Sequence, residues 1–270
     1  MVATNIAVGN YFHDLLLPFI YRNHESPIEN NVETYYELIK ALGYPLEKIR
    51  STSDPRIIQK MIKSLQDKEE FIVLSTLLLK SMQRAFYSPN NQGHFGLAAN
   101  CYSQSTSPIR RFLDLMIHTL IDYYENMDED ITKQKELEDY LKRICSNASF
   151  KERCADKAEY EANQLYTVYY MQGKIGDTFT GFISDITSSR IYIKTEELLE
   201  GYCYLDLDSL NYYYSPPTKM IYNEFNETIY KIGDKVALKL SGVSLSERQI
   251  CFDIIEKKEE IEFTRARKKA

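Results

Sequence analysis

The sequence predicts an α+β fold, mostly helical over residues 1–171 and followed by a five-stranded β-barrel. Apolar residues recur at helical spacing before Gln172, and short alternating runs follow Gly173. A length of 270 residues allows one large domain or two smaller ones. We therefore expect a helical domain at 1–171, a barrel domain at 172–256 and a charged tail at 257–270.

The helical portion contains four segments with apolar residues at three- and four-residue intervals. These are residues 33–42, 55–66, 71–87 and 108–124. The sequence Leu-Gly-Tyr-Pro at 42–45 predicts the end of the first of them, because Gly and Pro follow the last apolar residue. Ser149 and Glu152 have the spacing of a capping box, which predicts a helix that begins there and runs to about Met171.

The barrel portion contains five short runs of alternating apolar and polar residues. These are residues 178–186, 190–194, 201–205, 235–240 and 249–254. Gly, Asp, Ser and a Pro-Pro pair separate the runs. Five short strands of this kind are typical of a small closed or nearly closed β-barrel.

Overall composition excludes several classes of protein. The formal charge of −6 and the pI near 5.4 argue against a basic surface covering the whole molecule. No window approaches the ~18 apolar residues of a membrane span, and the start lacks a leader pattern, so we expect a cytoplasmic protein without a membrane partner. Five scattered cysteines without a C-x-x-C pair indicate free thiols, and no zinc-type cluster joins them to the four histidines.

One stretch of the chain departs from the acidic balance. Between Phe71 and Ile121, Asp114 is the only acidic residue, and four basic residues accompany it. By contrast, residues 171–256 carry 8 basic and 13 acidic side chains. The tail from Lys257 carries 6 basic and 3 acidic residues and is typical of a solvated terminus.

The segment 106–111 inside that stretch has the features of a phosphate site. Its Thr-Ser pair can cap a helix whose first position is Pro108. Arg110 and Arg111 would then lie in the first turn, where the helix dipole disfavours cations. A bound phosphate would compensate, since helix amides and arginine both bind phosphate. Pairing of the two arginines with internal carboxylates is an equally open alternative.

Two neighbouring features are less specific. Glycines flank His94 and Phe95 and can bring the backbone close to a ligand. Asp114 and His118 lie one helical turn apart, so a carboxylate–histidine contact is plausible, and a structural role for it is more common than a catalytic one.

These motifs together resemble the catalytic (RNB) domain of the ribonuclease R and ribonuclease II family. The motifs are Tyr-Arg-Asn-His-Glu-Ser-Pro at 21–27, Gly-His-Phe-Gly-Leu-Ala at 93–98 and Thr-Ser-Pro-Ile-Arg-Arg at 106–111. The resemblance covers the C-terminal portion of that domain over roughly the first 170 residues. The remainder, with Gly-Asp at 176–177, Glu-Gly at 200–201 and Ile-Gly-Asp at 232–234, is similar to an S1 RNA-binding domain, which is an OB-fold barrel.

The resemblance implies 3′-to-5′ hydrolysis of RNA to nucleoside 5′-monophosphates, with Mg²⁺ held by a cluster of aspartates. It also implies that Arg110 is the catalytic arginine that contacts the scissile phosphate. In the family the aspartates precede the matched region, and this sequence has no such cluster. The nearest acidic run, at 128–130, is more typical of a solvated loop. We therefore expect the Mg²⁺ ligands to be absent and the chain to be inactive alone.

Candidate RNA-binding residues follow from the resemblance and from side-chain chemistry. In the helical portion they are Arg111, His94, Tyr102 and Glu159, of which Glu159 matches an acidic residue near the end of the bound RNA. On the barrel, the candidate rings for base stacking are Phe179, Phe182, Tyr192 and Tyr204. The candidate cations for phosphate contacts are Arg190 and Lys194. A Tyr-Tyr-Tyr sequence at 212–214 is expected in a loop. The acidic balance of the barrel predicts modest, salt-sensitive affinity.

The expected partner is single-stranded RNA, and no DNA partner is expected. Three interpretations of the chain stay open. The first is that the chain is an incomplete portion of an exoribonuclease. The second is that it is a non-catalytic protein that binds RNA or another partner. Alternatively, it is half of a split exoribonuclease, whose separately encoded N-terminal half supplies the aspartates.

Overall fold

A computed structural model of the chain describes residues 1–44, 54–126 and 131–257. The chain divides into two compact units, which we call unit 1 and unit 2. Unit 1 comprises residues 1–29, 51–58 and 82–158, and unit 2 comprises residues 30–50, 59–81 and 159–270. The acidic run at 128–130, and the predicted tail beyond residue 257, lie outside the described residues.

The described ranges contain mainly helices before residue 172 and mainly strands after it. The helices are α1 (Val2–Asp14), α2 (Glu29–Ala41), α3 (Pro55–Leu65), α4 (Phe71–Ser81), α5 (Phe112–Glu125), α6 (Ile131–Gln172) and α7 (Leu207–Leu210). The strands are β1 (Tyr21–Asn23), β2 (Phe86–Ser88), β3 (Thr178–Ile186), β4 (Arg190–Thr195), β5 (Glu200–Tyr204), β6 (Tyr213–Ser215), β7 (Met220–Tyr222), β8 (Thr228–Tyr230), β9 (Lys235–Ser244) and β10 (Gln249–Lys257).

Unit 1 is built on an apolar core between α1, α5 and the first part of α6. Leu113, Ile117 and Leu120 recur along one face of α5, as helical spacing requires, and all are buried. The rings of Phe12 and Phe19 stack in this core with centroids 4.1 Å apart. Beside the core, β1 and β2 pair antiparallel.

Unit 2 contains the predicted barrel. Its five strands close in the order β10-β5-β4-β3-β9, so the α+β class and the barrel are confirmed. Their bounds lie within a few residues of the predicted runs. The prediction succeeded because buried and exposed residues alternate along each strand, which gives the apolar and polar alternation in the sequence. A three-stranded sheet, β6-β7-β8, was not predicted. It includes part of the Tyr-Tyr-Tyr sequence, whose assignment to a loop is therefore wrong.

Two helix predictions are also wrong. The helix predicted at 71–87 ends at Ser81, because residues 86–88 pair with β1 instead. Ser149 does not begin a helix but lies inside α6. Its hydroxyl donates to the Cys145 carbonyl (2.9 Å) one turn earlier and accepts the Tyr87 N–H (2.9 Å).

Two simpler expectations, on the end of α2 and on the cysteines, are confirmed. Helix α2 ends at Ala41 and Gly43 follows with a φ of +91°, the left-handed conformation that glycine favours. All five cysteines are free. Within the described ranges, none of the helices combines the length and the apolar character needed to cross a bilayer.

Candidate nucleic-acid interface

The segment 106–111, which we call the arginine turn, precedes a helix instead of beginning it. Helix α5 starts at Phe112, and Arg111 is its extended N-cap residue, with φ −122° and ψ 114°. The Ser107 carbonyl accepts the N–H groups of Arg110 (3.3 Å) and Arg111 (3.0 Å), which closes the turn. The predicted helix start at Pro108 is therefore wrong.

Asp114 explains this local structure. Its carboxylate Oδ2 accepts the Ser107 N–H at 2.7 Å and the Arg111 Nη2–H at 2.8 Å. Asp114 has no exposed surface and lies in the first turn of α5, where the helix dipole favours a negative charge. The carboxylate therefore ties both ends of the turn to the start of the helix.

The two arginines consequently have different surroundings. The Arg111 side chain is 23% exposed and forms an ion pair with Asp114. Arg110 is exposed, and none of the described side chains forms an ion pair with it. His118 Nε2 lies 2.8 Å from the Ser105 carbonyl oxygen, so the structure gives Asp114 and His118 separate partners.

The predicted glycine loop at 93–98 is docked on His24. The Gly96 N–H donates to His24 Nδ1 at 2.9 Å, and His24 Nε2 lies 2.8 Å from the Gln83 carbonyl oxygen. Because a carbonyl only accepts, His24 Nε2 is the donor in this contact. A Cβ atom on Gly96 would lie 2.9 Å from His24 Nδ1, so this close approach requires glycine.

His94 lies between two rings in this loop. Its ring centroid is 5.1 Å from that of His24 and 5.1 Å from that of Tyr102. Burial, followed by the charges of His24 and Arg22, lowers the pKa of His94 from 6.5 to about 4. His94 is therefore neutral at pH 7 and offers a ring and a hydrogen bond to a ligand, not a positive charge.

This shift predicts acid sensitivity. The folded pKa of His94 lies below the unfolded value, so its contribution to stability is complete above about pH 6.5 and is lost as the pH falls toward 4. In His94→Gln, we expect the melting temperature to fall less steeply between pH 6.5 and 4 than in the native chain. Differential scanning fluorimetry at four pH values measures this. Exposed His13→Gln is the control, and equal slopes for the native chain and His94→Gln would contradict the prediction.

Tyr102 supports the loop from behind. Only 6% of it is exposed, and its hydroxyl accepts a hydrogen bond from Asn5 Nδ2 (3.1 Å). Asn5 Oδ1 accepts from the Ser105 N–H (3.0 Å) as well, so α1 positions the chain that leads into the arginine turn. The predicted RNA contact of Tyr102 is not open in this structure, because the ring is packed inside the unit.

A second cation of unit 1 is already paired. Arg22 Nη1 lies 2.6 Å from Glu152 Oε2, and its guanidinium carbon lies 4.4 Å from the centroid of the Tyr87 ring. The Tyr87 hydroxyl donates to Gln104 Oε1 at 2.7 Å. These contacts link β1, β2 and α6. Glu159, the predicted site residue on α6, is exposed and belongs to unit 2.

The barrel carries an outward group of side chains that we call the aromatic face: Arg190, Tyr192, Tyr202 and Tyr204. The register of β4 and β5 places Arg190 opposite Tyr204, and Tyr192 opposite Tyr202. The guanidinium carbon of Arg190 lies 4.4 Å from the Tyr202 ring centroid and 5.4 Å from that of Tyr204. Tyr204 is 67% exposed and Tyr192 is 36% exposed, so two rings and a cation are open to a ligand.

Tyr202 supports this face. It is 5% exposed, and its hydroxyl oxygen lies 2.9 Å from Gln249 Oε1 and 3.1 Å from the Tyr204 hydroxyl oxygen. Sequence reasoning missed Tyr202. The two-residue alternation that selected Tyr204 also places Tyr202 on the same side of β5 and was sufficient to find it.

The other predicted barrel residues are less open. Phe182 is 6% exposed, and the Lys235 ammonium lies 5.3 Å from its ring centroid. Lys194 Nζ lies 3.6 Å from Glu200 Oε1, and both Phe182 and Lys194 line a cleft of about 280 Å³ together with Val73 of α4. The ring of Phe179 packs edge-on against Phe252. Their predicted RNA contacts therefore compete with contacts inside unit 2.

Comparison with known proteins identifies the relatives of this chain. Residues 1–127 match the family model of the RNB domain. Ribonuclease R of Aquifex aeolicus is 33% identical over 264 residues, which are 97% of this chain and 37% of that protein. The chain is similar to the RNB-domain ribonuclease R proteins. It spans about a third of the length of the curated ribonuclease R relatives that it matches.

Solved structures of ribonuclease R show the same fold. The apo form of Mycoplasma genitalium RNase R matches 94% of this chain with a TM-score of 0.83 and 25% identity, over 40% of its own length. The same protein in complex with ribose methylated single-stranded RNA gives the same values. The resemblance to the ribonuclease R family is thus confirmed. The assignment of the barrel as an S1 domain, and the roles of the individual site residues, stay predictions.

The metal that the ribonuclease R resemblance implies does not fit the described residues. Across 1–44, 54–126 and 131–257, no three His, Cys, Asp or Glu side chains are grouped so that they could hold a metal ion. Asp114, the acid nearest to the arginine turn, is engaged with Ser107 and Arg111. No chemical step through a metal is therefore derived for this chain.

Proposed function

We propose that the chain binds single-stranded RNA in the cytoplasm, contacting phosphates with Arg110 and Arg190 and stacking bases on Tyr192 and Tyr204. The observation that carries the proposal is the aromatic face. There the guanidinium of Arg190 on β4 lies against two tyrosine rings of the adjacent strand β5, and one of those rings is 67% exposed.

Each part of that face has a chemical role. Rings on an open strand surface stack with bases of any sequence, and a cation beside them neutralises the phosphate that follows. The contact with Tyr202 and Tyr204 orders the Arg190 side chain before RNA arrives, which lowers the entropy lost on binding. The planar guanidinium can then donate two hydrogen bonds to one phosphate.

The arginine turn adds a second phosphate contact in unit 1. Arg110 is exposed in a stretch of the chain that contains a single acidic residue, and that residue is paired with Arg111. An exposed guanidinium in such surroundings attracts phosphate, because none of the carboxylates in the described part of the chain forms an ion pair with it. By the family resemblance, the same arginine contacts the scissile phosphate in complete enzymes.

We further propose that the 270-residue chain does not hydrolyse RNA by itself. Two-metal phosphodiester hydrolysis needs carboxylates that hold two ions ~3.5–4 Å apart, and the sequence has no aspartate cluster of the kind that the resemblance implies. Incubation of 5′-labelled single-stranded RNA with the purified chain and Mg²⁺ tests this. We expect intact RNA; a ladder of shortened products that disappears in Arg110→Ala would contradict the proposal.

The split-enzyme interpretation is the second candidate, because the chain matches only about a third of the length of its curated relatives. It predicts that a separately encoded polypeptide co-purifies with the chain and that the mixture hydrolyses RNA. A mixture that remains inactive leaves the RNA-binding function as the better account.

Equilibrium binding tests the proposed function directly. Fluorescence anisotropy of labelled single-stranded RNA, measured from 50 to 300 mM salt, is expected to show affinity that falls with a log–log slope of roughly −0.7 for each phosphate contact. Single-stranded DNA of the same sequence is the comparison ligand, and we expect it to bind more weakly. A slope near zero, or equal affinity for RNA and DNA, would contradict the proposal.

A further inference from the structure

The adjacent arginines of the arginine turn differ in the charge that they present to a ligand. Arg111 Nη2 lies 2.8 Å from a carboxylate that is completely buried, whereas Arg110 is exposed. Two neighbouring residues of the same type therefore have different electrostatic environments, and the difference comes from Asp114.

The Asp114 carboxylate and the arginine turn stabilise each other. A buried carboxylate is strongly unfavourable unless it is paired and hydrogen-bonded, and its partners here are the Ser107 N–H and the Arg111 guanidinium. The same Ser107 supplies the carbonyl that accepts the Arg110 and Arg111 N–H groups. The carboxylate thus holds the segment from Ser107 to Arg111 at both ends and leaves Arg110 projecting between them.

We infer that Asp114 and Arg111 form a positioning pair that fixes the arginine turn, so that Arg110 alone contacts RNA phosphate. The inference rests on the proposed RNA contact of Arg110. It reassigns Arg111 from an RNA ligand to a residue that acts through Arg110. It also gives a role to Asp114, the one acidic residue between Phe71 and Ile121.

A double-mutant cycle between Arg110 and Asp114 tests the inference. In the native chain, we expect Arg110→Gln to weaken binding of labelled single-stranded RNA about tenfold. In an Asp114→Asn background, the same change should weaken binding less than about threefold, because Arg110 is no longer held in place. Circular dichroism gives the melting temperature of each variant, and binding is measured well below it, so that every variant is folded. If Asp114→Asn weakens binding without affecting Arg110, the losses in binding free energy of the two substitutions add.

The salt dependence of binding separates a positioning residue from a phosphate ligand. Arg110→Gln should make the log–log slope less negative by roughly 0.7, the contribution of one phosphate contact on single strands. In an Arg110→Gln background, Arg111→Gln should change the slope no further, because Arg111 acts only through Arg110. Arg143→Gln, an exposed arginine of α6, is the matched control for the loss of one positive charge. A further slope change of roughly 0.7 from Arg111→Gln in the Arg110→Gln background would overturn the inference.

A second variant keeps the test decisive if Asp114→Asn does not fold. Asp114→Asn combined with Arg111→Gln removes both charges, and replacing both partners of a buried pair is tolerated better than removing one. Equal tenfold losses from Arg110→Gln in the native and variant backgrounds would overturn the inference and leave the proposed function standing. No loss from Arg110→Gln in the native chain would contradict the proposed function, and the inference with it.

Discussion

Replacing Arg190 by glutamine together with Tyr204 by alanine is expected to weaken binding of single-stranded RNA by roughly 10- to 100-fold. A base stacked on an aromatic ring contributes about 1–3 kcal/mol, which by itself corresponds to about 5- to 150-fold in affinity. Arg190 adds a phosphate contact, so the salt slope should also become less negative by roughly 0.7. Anisotropy with a fluorescein-labelled oligonucleotide at 50 mM salt measures both quantities.

A matched variant distinguishes the aromatic face from the general surface of the barrel unit. Tyr166 is 73% exposed on α6, and Lys239 is exposed on β9. Tyr166→Ala combined with Lys239→Gln removes one ring and one cation from unit 2 outside the aromatic face. We expect its RNA affinity to stay within about twofold of the native value, as surface changes away from a site usually have small effects. Equal losses in the two double variants would contradict the assignment of the site.

Replacing Gly201 by alanine is expected to lower the free energy of unfolding by about 1–3 kcal/mol, the range found for overpacked cores. An added Cβ would lie 2.5 Å from the Phe252 ring and 2.7 Å from the Ile250 carbonyl oxygen. The ring can move, but the carbonyl belongs to β10, which pairs with β5 to close the barrel. Urea unfolding followed by circular dichroism measures the loss.

Gly242→Ala is the control for this prediction. Gly242 lies in β9 of the same barrel, and a Cβ there would meet nothing within 4 Å. We expect its unfolding free energy to stay within about 0.5 kcal/mol of the native value, as for most unconstrained surface positions. If Gly201→Ala is as stable as Gly242→Ala, the close approach of β5 and β10 is not a constraint on folding.

The barrel was predictable because its signal is local. Each strand has one buried face, so apolar residues alternate within five to ten residues, and turn residues separate the runs. The helix predicted through Tyr87 failed for the opposite reason. Its last residues pair with Arg22 and neighbours in β1, a contact between segments more than sixty residues apart that no helical pattern reveals.

The arginine turn shows where local rules compete. Thr106, Ser107 and Pro108 satisfy the rules for a helix start, but the structure begins α5 at Phe112. The buried Asp114 carboxylate accounts for the outcome, because it accepts hydrogen bonds from the Ser107 N–H and the Arg111 guanidinium of the turn. Which arginine would pair with an internal carboxylate depends on that geometry and could not be deduced from the sequence.

Several supporting residues were missed for a related reason. Asn5 and His24 act through hydrogen bonds to residues about seventy to a hundred positions away, and neither residue type announces such a partner in the sequence. Tyr202 differs, since strand alternation was enough to place it beside Tyr192 and Tyr204. Supporting residues with distant partners were thus harder to predict from the sequence than residues on one face of a strand.

Photocrosslinking tests the central claim most directly. Single-stranded RNA containing 4-thiouridine is irradiated with the intact chain, and the crosslinked peptides are identified by mass spectrometry. The account predicts crosslinks in peptides that carry Tyr192 and Tyr204 and in the peptide that follows Arg110, all reduced at 300 mM salt. Crosslinks confined to other parts of the chain, or none at a concentration where anisotropy reports binding, would contradict it.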